Sequence, residues 1–155
     1  MRSTLIFRFL SAVLFLFGGG ALFGQTPAKS NLSLPANAAV LIRSSPAYSE
    51  VLLRKTELEA DVESLLMDYT EDFPKIQEDK YALTVIGVEM SKLLAIKPGE
   101  ASKLTLALGK LMVRKVEVET ELWRLRKQYK DDHPEVKRAK KKAEIFERAV
   151  NEILG

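Results

Sequence analysis

The sequence predicts an all-α protein: two tandem αα-hairpins forming a coiled coil or a four-helix bundle. Three observations carry this. Apolar residues recur at spacings of three and four. The second half of the chain repeats the first at an offset of 60 residues. Each repeat is broken once, by a proline that follows an acidic turn. Strands would alternate apolar and polar residues at period two, and none of these segments does.

Residues 1–24 read as a secretory signal peptide. Arg2 precedes an apolar run from Leu5 to Phe17, and the segment exits through Gly18-Gly19-Gly20 and Gly24. From Phe9 to Gly24 there are 16 residues, fewer than the roughly 20 needed to span a bilayer. Cleavage near Gly24 is therefore expected. Membrane contact is expected only through this segment, were it retained. Over 25–45, Pro27, Ser30, Asn31, Ser33 and Pro35 predict a flexible tether or loop. The short apolar run Ala38 to Ile42 is a strand or a capping segment. Asn31-Leu32-Ser33 fits a glycosylation sequon, which matters only in a eukaryotic secretory route.

Residues 51–95 align with 111–155 without a gap, and ten of the 45 positions are identical. The shared spacings Arg-Lys-x-Glu-x-Glu and Tyr-x-x-Asp-x-Pro make a chance match implausible, and such a period sets the architecture. In the first arm Val51, Leu58 and Leu65 recur every seven residues, with Val62 and Tyr69 beside them and Lys55 as the exception. The third arm repeats this with Leu111, Val118, Leu125, Leu122 and Tyr129, again broken by a lysine, Lys115. After the prolines, Ile76, Leu83, Met90, Ile86 and Leu93 form a second stripe, broken by Asp79. Its counterpart runs unbroken through Val136, Ala139, Ala143, Phe146, Val150 and Ile153. Such stripes bury one helix face against other helices. Four helices are predicted, over about 46–69, 74–96, 100–130 and 134–154. Repeat 1 spans 46–96, a linker 97–100 contains Pro98-Gly99, and repeat 2 spans 101–155.

The turns share one design: Tyr69, Asp72, Phe73 and Pro74 in repeat 1, and Tyr129, Asp132, His133 and Pro134 in repeat 2. Proline disfavours helix before it and suits the first helical position. The acidic residues complement the dipole of the helix that starts there. A hairpin is favoured over a kinked continuous helix. Phe73 stands where His133 stands, so the position calls for a ring and His133 reads as structural.

Composition excludes much chemistry. There is no cysteine and one histidine, so disulfides, thiol nucleophiles and cysteine zinc sites are out. No phosphate loop, Gly-x-Ser-x-Gly or His-Glu-x-x-His occurs, so no enzyme activity and no cofactor are expected. Residues 25–100 carry 8 basic and 12 acidic side chains, and residues 101–155 carry 14 and 9. The two hairpins are thus oppositely charged, and they attract within a chain or head to tail between chains. Lys137, Arg138, Lys140, Lys141 and Lys142 form a basic run: a solvated face, or a contact for an anionic glycan or lipid. Export argues against nucleic acid. Trp123, the only tryptophan, reads as core or interface packing. Lys55 and Lys115 either fix the register of the seam or lay their stems along it with the amines in water.

The segments Leu65 to Ile76 and Leu125 to Val136 resemble a Leu-x-x-x-Tyr-x-x-x-His-Pro-x-Val pattern. That pattern recurs in the periplasmic coiled coil of bacterial polysaccharide chain-length determinants (polysaccharide co-polymerases). The resemblance covers about 25 residues around each turn. It implies a helical region that oligomerises and works with glycan polymerase or export machinery without being an enzyme. Repeat 2 carries the His-Pro, and repeat 1 has Phe73 in its place. A C-terminal transmembrane helix and the family's membrane-proximal α/β domain are missing, which points to a detached, duplicated coiled-coil module. A weaker resemblance is to the small periplasmic holdase chaperones of the Skp/OmpH type, in leader, length, pI and helical arms; their returning C-terminal strand is missing. The expected function is an exported, non-enzymatic helical scaffold or interaction protein that self-associates through its seams and is linked to envelope polysaccharide assembly or export. The alternative is a periplasmic holdase-type chaperone.

Overall fold

A computed structural model describes the backbone from residue 34 to 155 and the side chains from Ala39 onward. The signal peptide expected at 1–24 and the sequon at Asn31 lie outside the described residues. The described chain is all-helical, without a strand. Its helices are α1 (Leu34–Arg43), α2 (Pro46–Leu66), α3 (Pro74–Leu94), α4 (Leu106–Gln128) and α5 (Pro134–Leu154). A short 3-10 helix, Pro98–Lys103, joins the two halves.

The starts of α2 and α4 are built alike, 60 residues apart. Ser45 caps α2 by accepting from the Tyr48 N–H at 3.2 Å, and Thr105 caps α4 by accepting from the Leu108 N–H at 3.3 Å. Each cap satisfies one of the orphan donors at a helix start. Pro74 and Pro134 occupy the first turn of α3 and α5, where a missing N–H costs nothing. α2 packs against α3 and α4 against α5, so both prolines close hairpins. α4 also packs on α2 and on α3, whereas α5 has no comparable packing on α2. The bundle is therefore two hairpins stacked side by side, with α4 as the inner helix. The main core runs through Val51, Leu58, Ile86, Leu93, Leu108 and Met112. A smaller cluster of Leu122, Val136 and Ala139 closes the tip of the second hairpin.

Three boundaries differ from the sequence reading. The expected flexible segment 25–45 is helical from Leu34 to Arg43. Ala36, Ala38 and Ala39 favour helix, and α1 buries Ile42 in the main core, neither as a strand nor as a loop. α2 ends at Leu66, before Tyr69. The helix expected from 100 begins at 106, because Leu104 is drawn out of helical geometry. Its side chain is buried, and its carbonyl accepts from the Ala47 N–H at 3.3 Å.

Beside that bond the two repeats come into close contact. A Cβ on Gly109 would lie 2.8 Å from Glu50 Cβ and 2.9 Å from Ala47 Cα. Only a glycine lets α4 come so near to α2. Gly87, inside α3, has nothing within 4 Å of the same position. Replacing Gly87 by Ala is expected to raise stability by about 0.5–1 kcal/mol. Gly109→Ala is expected to lower it by about 1–3 kcal/mol, reversing the usual preference for alanine. Chemical denaturation of the two variants checks the opposite signs.

Candidate functional site: an aromatic groove beside a buried ion cluster

The Arg-Lys-x-Glu-x-Glu motif makes the same two ion pairs in each repeat. Arg54 meets Glu57 and Lys55 meets Glu59 on α2; Arg114 meets Glu117 and Lys115 meets Glu119 on α4. The surroundings of the two lysines then diverge. Lys55 lies on an outer helix and, among the described residues, pairs only along its own helix. Lys115 is 4% exposed, because α4 is covered from two sides. Its ammonium donates to Glu89 of α3 at 2.6 Å and to Glu147 of α5. Lys92 of α3 reaches the same two carboxylates at 3.0 and 3.3 Å. Glu89 is fully buried, and its second oxygen has no partner among the described residues.

Burial alone would push the Lys115 ammonium down. Hydrogen bonds to Glu147 and Glu89, with the charges of Glu89 and Glu119, outweigh it and hold the lysine above its ordinary value. Burial likewise pushes the Glu147 carboxyl up, but Lys115 and Lys92 outweigh it and hold Glu147 below the usual carboxylate range. The raised lysine contributes stability that is present below about pH 10.4 and lost as pH rises through its folded value. The lowered glutamate contributes stability present above about pH 4.3 and lost as pH falls through its folded value.

Beside this cluster a groove of about 740 Å³ opens between α3, α4 and α5. One wall is aromatic. Tyr81 of α3 stacks on Trp123 of α4 with centroids 4.9 Å apart and planes at 13°. Lys127 sits 3.7 Å from the Trp123 ring centroid. Burial, assisted by the Glu119 carboxylate, raises the Tyr81 phenol above its ordinary value, with Arg126 pulling the other way. The hydroxyl thus stays a neutral donor. Along the α5 rim, Lys141 pairs with Glu144 at 3.4 Å, and Glu147 is occupied by Lys115 and Lys92. Lys140 and Arg148 also line the groove and form no ion pair among the described residues. Two uncommitted cations next to a stacked aromatic pair suit a ring-bearing anion. A smaller recess of about 350 Å³ lies between α2, α3 and α4, where Lys75 donates to the buried Asp79 at 2.6 Å.

The structure splits the basic run. Only Lys140 and Lys141 reach the groove. Arg138 is turned to Glu135 at 2.7 Å, Lys142 lies 3.9 Å from Glu121, and Lys137 is exposed without an ion pair among the described residues. The turn residues lie apart from the groove and have their own geometry. Tyr69 stacks on Phe73, and Tyr129 on His133, both with centroids 4.1 Å apart. His133 also uses Nδ1 to accept the Glu135 N–H at 3.3 Å, a cap that Phe73 cannot make. Asp72 and Asp132 are exposed and make no side-chain hydrogen bond among the described residues. No cluster of three metal-ligating side chains occurs among the described residues, and no described helix is long and apolar enough to cross a membrane.

Sequence reasoning placed Trp123 in the packing and did not join it to Tyr81. The two are far apart in the chain, and only the α3–α4 register brings them together. Comparison with protein-family models, with curated proteins and with solved structures finds no match.

The paired lysines give a direct test. Lys115→Ala leaves the buried Glu89 with Lys92 as its one remaining counter-charge among the described residues and is expected to cost about 3 kcal/mol, the low end for breaking a buried pair. Lys55→Ala, at the equivalent half-buried position, is expected to cost no more than about 1 kcal/mol. Urea denaturation reads both. In a pH series the loss of stability on the acid side should be shallower for Glu147→Gln than for the parent protein.

Proposed function

We propose that the protein is an exported, non-enzymatic helical interaction module whose groove takes a segment of an acidic glycan, in the service of envelope polysaccharide assembly or export. The observation that carries this is the Tyr81–Trp123 stack flanked by Lys140 and Arg148, which have no ion pair among the described residues. The apolar face of a sugar ring packs on an aromatic wall, and a uronate carboxylate or phosphate is held by guanidinium and ammonium groups. The groove has room for several sugar rings and leaves the Tyr81 hydroxyl free as a donor to a sugar oxygen. The Tyr-x-x-x-(His/Phe)-Pro turns at 69–74 and 129–134 support the glycan context. The two readings of the basic run also meet here, since Lys140 and Lys141 bear on the ligand while the other members stay on the outer face.

Trp123 is the only tryptophan, so its fluorescence reports this groove alone. Titration with an acidic hexuronate oligosaccharide is expected to shift the emission. The carboxyl-reduced, neutral oligosaccharide should bind at least about tenfold more weakly, the loss of one charge-assisted contact of about 1.4 kcal/mol. The double variant Lys140→Gln and Arg148→Gln should show the same loss. No response to the acidic oligosaccharide at millimolar concentration would overturn the reading.

A further inference from the structure

Each hairpin has two packing faces, and the fold uses one of each. α4 receives α2 and α3 on a face that includes the buried Met112, Val116 and Thr120. The counterparts on α2, 60 residues earlier, are Leu52, Thr56 and Ala60, and all three are exposed, Leu52 at 41%. The presenting side shows the same imbalance. On α3, Val85 is buried at 8%; its counterpart on α5, Ile145, is 49% exposed. One receiving face on α2 and one presenting face on α5 are thus left open at opposite ends of the stack. Each open face thus sets an exposed apolar side chain, Leu52 on α2 and Ile145 on α5, among charged neighbours.

We propose that these two faces take each other: α5 of one copy seats on α2 of the next, continuing the stack of hairpins head to tail. Charge supports this occupant. α2 carries five acidic and two basic side chains, and α5 carries six basic and four acidic. The register of the internal contact sharpens the match. Within the chain, Glu78 shares a recess with Glu121, and Tyr81 stacks on Trp123. Carried forward by one repeat, the same register sets Arg138 and Lys141 of one copy against Asp61 and Glu63 of the next. Opposite charges then stand where the internal contact has two carboxylates and two rings. Such a contact is heterologous, so it grows into a chain of copies unless its rotation closes a ring. The inference names a partner for the scaffold reading. Leu52, Asp61, Arg138 and Ile145 lie outside the aromatic groove; Lys141 lines it, and the variants that test the contact leave Lys141 in place, so the two can fail separately.

Sedimentation velocity of the protein from micromolar to millimolar concentration should show a mean mass that climbs with concentration and falls back in high salt. Leu52→Glu blocks only the receiving face, and Ile145→Asp only the presenting face. Both positions are exposed, so each variant should keep the parent's circular dichroism and melting temperature while remaining a monomer. Mixed one to one, the variants should form a heterodimer that grows no further, because each retains the face the other lacks. A parent protein that stays monomeric at millimolar concentration, a mixture that forms nothing, or growth that survives both substitutions would overturn the proposal.

Discussion

Lys115 is the point on which the two hairpins are registered. It stands on the inner helix, its stem among core residues, and its ammonium joins a carboxylate of α3 to a carboxylate of α5. Helix stripes of leucine and valine tolerate sliding by a turn, since one apolar contact replaces another. A buried ammonium paired with a buried carboxylate does not, because a slip leaves both charges unpaired in a medium that penalises each by several kcal/mol. The close approach at Gly109, less than two turns earlier on α4, acts in the same direction. Together they define where α4 lies, and α4 in turn positions Trp123 against Tyr81.

Duplication explains both the order of the fold and its asymmetry. The repeated Arg-Lys-x-Glu-x-Glu motif makes the same helix-surface pairs twice, yet the inner copy is buried and the outer copy is wet. Glu89 and Glu147, which lock Lys115, have Ala149 and Gly87 as their repeat counterparts. The lock therefore draws one carboxylate from each repeat, and neither carboxylate has a counterpart at the equivalent position of the other. Where the counterpart of a buried residue is exposed, as at Leu52 and Ile145, the duplication leaves a surface shaped like an interior.

Much of this was legible in the sequence, and for physical reasons. The heptad stripes, the prolines at Pro74 and Pro134 and the ring at Phe73 and His133 are local features, and local features fix helices and turns. α1 was missed because a short alanine-rich stretch among prolines and serines has little periodicity, and its helix depends on burying Ile42. The seam position of Lys115 was visible, but its partners were not, since Glu89 and Glu147 lie on two other helices. The same limit applied to the groove. Trp123, Tyr81, Lys140 and Arg148 become one site only through the packing of three helices, and no spacing along the chain encodes that.

The central claim is that the buried contact between Lys115 and Glu89 holds the second hairpin in register on the first. A double-mutant cycle measures it most directly, with Lys115→Met, Glu89→Leu and the two combined, each followed by chemical denaturation. Either single substitution should destabilise the protein strongly. The double variant should recover much of the loss, with a coupling energy of about 2 kcal/mol or more. Costs that simply add, leaving no coupling between the two positions, would contradict the account.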